Sequence, residues 1–445
     1  MKKYSRSLPY TISTVYVAIV KIWTVIIKTY FPNNEILKNI GTANGIFKKA
    51  ASDFDYSVDY LIVMVYIMLL VVLYKYEKLI QKKYIKNVIY ISTIFLTFLT
   101  IATAIVFQEY RGWDLSLYCV TEISKDIYNP EINIYDFKYQ KIRPGLSPLV
   151  WLYYNKICNF NILGFSYFNH YFWFQMLFGI VLVLKFFKFS IIEALCLATG
   201  LNLSLLHMIR TGNYGYIFAI VMAICLRNLV KEKNINLNIF LLSVISFLKI
   251  QYAIIIALYL FIKKTNFRTL LSYSFKFFGI YVVFYGLQVL LFKNAIFDYF
   301  SVLVNGYSTT DYIASNYITW ELALEAGITN PVTSQFISRF FGFEMNVSRL
   351  ILIIIVLFGL YFIKNKNTIF LLISSLFERN KSYDSNYLLL SVEENNITEF
   401  IFAFCFIPNL LFLFGSMFSI GLLSELLYVP GLFYVVLLSV KKRLI

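Results

Sequence analysis

A polar segment between two apolar runs, residues 108–147, concentrates the side chains that could do chemistry. Asp114 follows the end of the preceding apolar run. An ionised carboxylate only accepts hydrogen bonds, so Asp114 could take a proton from a hydroxyl delivered at a membrane surface. Asp is also a preferred N-cap residue of helices, so a purely structural role fits the same position. Glu122 and Asp126 could assist or replace Asp114, or could be solvated charges on a helix face.

The residues after Asp114 have helical spacing. An apolar stripe recurs every four residues, with Tyr118 on a neighbouring polar face; the stripe consists of Leu115, Cys119, Ile123 and Ile127. A helix with one apolar and one polar face suits the surface of a membrane. The sequence therefore predicts an interfacial helix in this external segment.

Lys249 is a second candidate because it interrupts an apolar run. An ionisable residue at membrane depth is a functional hypothesis by default. The alternative is a side chain that extends from a helix end to the lipid headgroups. The two histidines, His170 and His207, have no Asp, Glu or Cys at a recognisable ligand spacing, so no metal site is predicted.

These side chains need a membrane-embedded scaffold. The 445 residues are 59% hydrophobic and 14% charged, with a mean hydropathy of +0.69, whereas soluble domains are roughly half apolar and a quarter charged. Several apolar runs reach the ~17–25 residues that cross a bilayer as a helix. The clearest runs are Val58–Tyr76, Val88–Phe107, Ile191–Met208, Leu271–Leu291 and Ile420–Val440. We therefore predict an all-α polytopic membrane protein, one transmembrane domain over residues 1–445, with roughly twelve spans.

The distribution of charge orients these spans. The net charge is +16, but Lys and Arg lie in short clusters between apolar runs, which indicates cytoplasmic loops rather than a nucleic-acid surface. Placing the densest cluster, residues 75–86, in the cytoplasm leaves residues 108–147 and 294–346 as two long external loops, and loops of that length are usually functional or disordered. The polar stretch Glu378–Glu399 then falls on the cytoplasmic side.

The segment Asn236–Phe261 has basic flanks at both ends. A single crossing would put the two flanks on opposite sides of the membrane, against the positive-inside rule. The sequence therefore predicts a re-entrant pair of helices that turns at Lys249, Ile250 and Gln251.

The first external segment also carries a motif. Asp114 is followed by Tyr118, by an Asn-Pro turn at Asn129 and Pro130, and by a Tyr- and Pro-containing stretch that leads into an apolar run. This order resembles the first external loop of polyprenyl-phosphate-sugar-dependent glycosyltransferases of the GT-C fold, in particular the bacterial family 87, which includes mannosyltransferases. Arg143-Pro144-Gly145 replaces the Tyr-Pro-Pro that usually ends the motif.

A second stretch resembles the same family. The short turn Gly212-Asn213 is followed by a basic loop, then by the apolar run broken by Lys249, then by another basic loop. Asn213 replaces a Gln found in many family members. The two stretches follow each other in the family's order, and with the spans between them they cover about a third of the chain.

The resemblance implies a GT-C-like bundle and a glycosyltransferase. Such an enzyme moves a hexose or pentose from a polyprenyl-phosphate donor to a glycan or lipid acceptor, with inversion, on the periplasmic or extracellular face of a bacterial inner membrane. Some GT-C enzymes use a divalent cation, but no acidic pair in this sequence demands one, so we expect no metal and no other cofactor. Asp114 matches the family's general base. The resemblance and the need for positive charge near a departing lipid phosphate suggest a substrate-binding set of Tyr118, Arg143, Arg210, Asn213, Lys249 and Gln251.

Two other classes stay open. A polysaccharide polymerase of the O-antigen type is also polytopic, but it relies on basic residues in loops late in the chain. A transporter or flippase of lipid-linked sugars is expected to show broken spans with ionisable residues and an internal repeat. No repeat is evident in this sequence.

Overall fold

The computed structural model is helical throughout the part of the chain that it describes. It describes residues 67–71, 75–76 and 80–107; residues 148–150; residues 167–292 apart from 212–213, 250 and 264–265; residues 296–297; residues 345–392 apart from 364, 375 and 377–381; residues 397–417; and residues 431, 434 and 436. No strand occurs among these residues, which confirms the all-α prediction for them.

The helices are numbered in chain order. The first six are α1 (Lys83–Phe107), α2 (Tyr167–Phe187), α3 (Ile191–Gly200), α4 (Ser204–Thr211), α5 (Gly215–Val230) and α6 (Ile235–Leu248). The next four are α7 (Gln251–Lys263), α8 (Phe267–Leu291), α9 (Met345–Phe362) and α10 (Lys366–Ser374). A 3₁₀ segment (Ser382–Ser391) follows, and α11 (Ile397–Ile401) continues through a π-helical turn (Phe402–Phe406) into α12 (Ile407–Met417).

Local sequence explains where α2 ends and α3 begins. The basic residues near this turn include Lys185 in the last turn of α2, where a cation complements the helix dipole. Ser190 is the N-cap of α3, and its hydroxyl accepts a hydrogen bond from the Glu193 amide at 3.3 Å. The Glu193 carboxylate in turn accepts one from the Ser190 amide at 3.0 Å. This capping box fixes α2 and α3 as consecutive helices.

The core is built around α5. Tyr216, Ala219, Met222 and Leu226 on this helix are fully buried. α5 packs against α2, α6 and the 3₁₀ segment. Because α5 is buried nearly all round, the helices around it, and not lipid or water, meet most of its surface.

A polar tie joins three elements at the basic end of α1. Lys86 forms a salt bridge with Glu193 at 3.2 Å. The Tyr90 hydroxyl donates to the Glu193 carboxylate at 3.1 Å and shares a hydrogen bond with the Thr398 hydroxyl at 2.9 Å. These contacts connect α1 to α3 and to α11, which is more than 300 residues away in the chain.

Within the part of the chain that the structure describes, two helices are long and apolar enough to cross a membrane: Lys83–Ile101 and Phe267–Leu291. They coincide with the predicted runs Val88–Phe107 and Leu271–Leu291. The runs at Val58–Tyr76 and Ile420–Val440 lie largely outside the described residues. α8 carries many exposed apolar side chains, among them Phe275, Phe278 and Leu290. Surfaces of this kind face lipid or partner proteins rather than water.

The prediction of one continuous helix over Ile191–Met208 is wrong. The helix breaks between α3 and α4, where Leu201 is extended and Asn202 and Leu203 have φ values of 45° and 59°. Gly200 and Asn202 are the local cause, because Gly terminates helices readily and Asn tolerates the left-handed conformation.

The polar stretch Glu378–Glu399, for which the sequence predicts only a cytoplasmic position, contributes to the core. Within it, Asn386, Tyr387 and Leu388 are almost completely buried, and the 3₁₀ segment packs against α4 and α5. The Asn386 side chain bonds to the Ser204 hydroxyl and to the Tyr216 carbonyl, so this segment is part of the core.

Candidate functional site

Two turns that are distant in sequence meet at one corner of the helical bundle. One turn lies between α4 and α5, where the structure describes Tyr214, and the other lies between α6 and α7, where it describes Lys249. We call the group formed by Tyr214, Gly215, Leu248, Lys249 and Tyr252 the Lys249 corner. Tyr214 directly follows Gly212-Asn213 in the second family-like stretch, and Gly212 and Asn213 themselves lie outside the described residues.

Two tyrosines connect the turns. The Tyr252 hydroxyl donates a hydrogen bond to the carbonyl oxygen of Gly215 at 3.1 Å. The Tyr214 hydroxyl donates to the carbonyl oxygen of Leu248 at 3.5 Å. Both tyrosines are buried. The two bonds run in opposite directions between the turns, so each turn restrains the other and the corner is held as one unit.

Lys249 lies at the break between α6 and α7. Its backbone is extended (φ −140°, ψ 90°), and its amide still donates to Ile245 at 2.9 Å while its carbonyl accepts from the Tyr252 amide at 3.0 Å. The ammonium Nζ lies 5.4 Å from the centroid of the Tyr252 ring, within cation–π range. The side chain is half-buried. The predicted break at Lys249 is therefore confirmed, and the cation at the break stacks on a buried tyrosine.

The other predicted site residues are placed only in part. Arg210 belongs to the last turn of α4, and Gln251 is the first residue of α7, so the backbones of both flank the Lys249 corner. Asp114, Tyr118, Arg143 and Asn213 lie outside the described residues, as do Glu122 and Asp126. Of the predicted set, Lys249 alone has a side chain that the structure describes, and the base assigned to Asp114 remains a prediction.

The break between α3 and α4 is a second polar feature, which sequence patterns did not predict. Interrupting the helix removes the partners of backbone carbonyls, and three side chains replace them. The Tyr216 hydroxyl donates to Ala198 at 2.6 Å, the Asn409 amide to Gly200 at 3.1 Å, and the Ser385 hydroxyl to Leu201 at 3.5 Å. Such replacement is what permits a broken helix in an apolar environment.

Asn386 holds the other side of this break. Its side-chain oxygen accepts from the Ser204 hydroxyl at 3.0 Å, and its amide nitrogen donates to the Tyr216 carbonyl at 3.1 Å. The signal in the sequence was Thr-Gly-Leu-Asn at residues 199–202, in which a Gly and an Asn interrupt an otherwise apolar run. That pattern predicts a left-handed turn as well as it predicts a continuing helix.

A metal site would need clustered His, Cys, Asp or Glu ligands. Among the described residues, no group of three such side chains could hold a metal ion. Both histidines lie in described helices, His170 in α2 and His207 in α4.

Comparisons with known proteins give no relative. No protein-family model, curated protein or solved structure matches this chain significantly. The resemblance to the GT-C enzymes therefore depends on the motif residues themselves.

Proposed function

We propose that the chain is a membrane glycosyltransferase that moves a sugar from a polyprenyl-phosphate donor to a glycan or lipid acceptor by a single inverting displacement. In this proposal Asp114 is the general base, and Lys249 contacts the phosphate of the donor. The observation that carries the proposal is the Lys249 corner, in which a cation lies at a helix break and is held against the turn that follows α4.

The lengths of the helices support an accessible position for Lys249. α5, α6 and α7 contain 16, 14 and 13 residues, or about 24, 21 and 20 Å at 1.5 Å per residue. α1 and α8 contain 25 residues each, or about 38 Å. A hydrocarbon core is about 30 Å thick. If the basic ends of all five helices lie at one membrane surface, then α5, α6 and α7 are too short to reach the other surface. The Lys249 corner, at the opposite ends of these three helices, then lies inside the hydrocarbon core.

The basic ends do carry the charge that such an arrangement needs. Arg227 is in the last turn of α5 and Lys263 is in the last turn of α7. By the positive-inside rule these ends face the cytoplasm. Lys249 is then reached from the non-cytoplasmic side, in a depression where a lipid-linked phosphate could enter from the bilayer. A phosphate in that low-dielectric position would be stabilised by a fixed ammonium.

The experiment is transfer of radiolabelled sugar from a panel of polyprenyl-phosphate donors in membranes that contain the protein. The wild type is compared with Lys249→Met, which keeps the length of the side chain and removes its charge. Lys276→Met is the matched control, because Lys276 is an exposed lysine on α8 that donates to Asn236 outside the corner. We expect transfer by the wild type and the control, and a loss of about 10²-fold or more in Lys249→Met.

A second candidate function is a transporter of lipid-linked sugars, and the break between α3 and α4 favours it. Discontinuous helices are common at transporter binding sites. The polar side chains that hold this break are neutral: Ser204, Tyr216, Ser385, Asn386 and Asn409. An ion-coupled site would need an ionisable group there. If the protein took up or flipped the labelled donor without transferring its sugar, we would assign it to the transporters of lipid-linked sugars.

A further inference from the structure

The break between α3 and α4 contains polar side chains that the protein leaves without partners. Asn202, in the break itself, is 1% exposed, and neither its amide nitrogen nor its amide oxygen has a hydrogen-bond partner among the described residues. The same is true of both polar atoms of Gln175 on α2, which is also 1% exposed, and of the hydroxyl of Thr97 on α1, which is 2% exposed.

Thr97 differs from its neighbours on α1. The hydroxyls of Thr93 and Thr100 donate to the carbonyls four residues before them, Ile89 and Leu96, at 2.7 and 2.9 Å. Thr97 makes no such bond. Its oxygen lies 2.8 Å from the position that a Cβ on Gly200 would occupy. The Thr97 hydroxyl therefore points to the last residue of α3, directly before the break.

Gln175 lies towards the break on α2. The Tyr216 hydroxyl is 2.8 Å from the position of a Cβ on Gly179 and donates to the carbonyl of Ala198, so Gly179 and Ala198 are level where α2 packs on α3. Gln175 is one helical turn before Gly179, and Gly200, the last residue of α3, is two residues after Ala198. Because α2 and α3 are antiparallel, both steps run towards the break. We therefore place the three unpartnered side chains around one break, with Thr97 on α1, Gln175 on α2 and Asn202 in the break itself.

The chemistry of the three groups selects the ligand. The two amides and the hydroxyl present both donors and acceptors. A bare cation would satisfy the oxygens and leave the amide N–H groups unpaired, and an anion would do the reverse. The only buried carboxylate among the described residues, Glu399, bonds Gln81 near the start of α1. A small neutral molecule with O–H groups satisfies both kinds of partner, and buried water typically makes about three such bonds.

We infer that the break between α3 and α4 is a buried water-binding site formed by Thr97, Gln175 and Asn202. Bound water completes the hydrogen bonds of these side chains and stabilises the left-handed backbone at Asn202 and Leu203. The site is separate from the Lys249 corner, and it does not depend on the proposed enzymatic activity.

The first test is the sign of a stability change. Asn202 has φ 45° and ψ 40°, a conformation that glycine adopts more readily than asparagine. If the amide binds nothing, Asn202→Gly should therefore raise the melting temperature. If the amide binds water, the variant should lower it. Asn234 is the matched control, because it has nearly the same backbone conformation (φ 45°, ψ 47°) and an exposed side chain.

We expect Asn202→Gly to lower the melting temperature in detergent by several degrees and Asn234→Gly to leave it unchanged or raise it. A rise in both variants would overturn the inference. Should Asn202→Gly not fold, Thr97→Val provides the same test, since it removes only the hydroxyl at nearly constant shape. A lower melting temperature is expected, and a higher one would overturn the water site.

The second test shows whether the ligand is shared and neutral. A double-mutant cycle between Asn202→Gly and Gln175→Leu should be strongly non-additive, because loss of one side chain already releases the water that both bind. Additive effects would contradict a shared ligand. The melting temperature of the wild type should be the same in NaCl, KCl and choline chloride at equal ionic strength. If Na⁺ or K⁺ specifically raised the melting temperature, and Asn202→Gly abolished this increase, the ligand would be a cation and not water.

Discussion

Lys249 and Tyr252 form the pair of residues on which the Lys249 corner depends. The Tyr252 ring lies beneath the Lys249 ammonium, and its hydroxyl bonds the turn before α5. The tyrosine thus fixes the cation by stacking and fixes the neighbouring turn by a hydrogen bond. When an ammonium group stacks on a buried aromatic ring, the side of the ammonium that faces away from the ring can still bind a ligand.

Tyr252→Phe separates these two roles. The ring and the cation–π contact remain, but the carbonyl of Gly215 loses its donor, so we expect a loss of about 1 kcal/mol in the free energy of unfolding. Thermal or denaturant unfolding in detergent measures it. Tyr273→Phe is the control: Tyr273 is also buried, and its hydroxyl has no hydrogen-bond partner in the described part of the chain. Equal losses in both variants would contradict a structural bond at the corner.

Sequence patterns predicted individual residues unevenly. The basic flanks at both ends of Asn236–Phe261 predicted the helix break at Lys249 correctly, because a single crossing would have put one flank on each side of the membrane. Asn386 and Asn409 gave no such signal, since their importance comes from groups that lie 170 or more residues away in the chain. Long-range replacement of backbone hydrogen bonds follows from the tertiary fold, and local pattern carries no information about it.

At the scale of elements, length and hydropathy were informative for the long exposed helices. α1 and α8 follow from continuous apolar runs. The break after α3 was missed because apolar residues continue on both sides of it, and the polar residues of the 3₁₀ segment gave no indication that the segment is buried. In both places buried Ser and Asn side chains bond to one another and to the backbone. Composition alone cannot distinguish a polar residue that is paired in a core from one that is solvated.

Close packing of α2 on α5 gives an element-scale prediction. A methyl group on Gly179 would lie 2.8 Å from the Tyr216 hydroxyl, which is fully buried and bonded to Ala198. We expect Gly179→Ala to lower the free energy of unfolding by about 1–3 kcal/mol through overpacking. Gly279→Ala on α8 has nothing within 4 Å and should be neutral or stabilising by up to ~1 kcal/mol, since alanine favours helix. Thermal melts of the two variants, run together, measure the difference, and similar losses would disprove the packing argument.

The polar tie at the basic end of α1 gives a second prediction for elements. Glu193→Ala removes the half of the α3 capping box that its carboxylate makes with the Ser190 amide, the Tyr90 hydrogen bond and the Lys86 salt bridge, and it keeps the bond from its own amide to the Ser190 hydroxyl. The ion pair itself is partly exposed and contributes little. We expect the cap and the buried hydrogen bond to account for a loss of about 1–3 kcal/mol. Lys86→Met removes the salt bridge and keeps the cap and the Tyr90 hydrogen bond. We expect it to lower the free energy of unfolding by much less than Glu193→Ala does in the same unfolding assay.

At the scale of the whole molecule, the proposed function requires a fixed orientation in the membrane. The turn between α2 and α3 and the turn between α5 and α6 are basic, and the Lys249 corner is at the other ends of α5, α6 and α7. We expect a topology reporter inserted after Lys233 to register as cytoplasmic and one inserted after Gly212 to register as external. The reverse pattern would place the corner on the cytoplasmic side and remove its access to an external donor.

The proposed function makes Asp114 the base of a sugar transfer at a membrane. The most direct measurement is transfer from polyprenyl-phosphate donors by wild type and Asp114→Asn at matched expression, with Glu122→Gln and Asp126→Asn as controls. An amide keeps the shape of the carboxylate but cannot accept the proton, so we predict a loss of about 10²–10⁴-fold in Asp114→Asn alone. Undiminished transfer by Asp114→Asn would contradict the assignment of the base. No transfer by the wild type from any donor would contradict the proposed function itself.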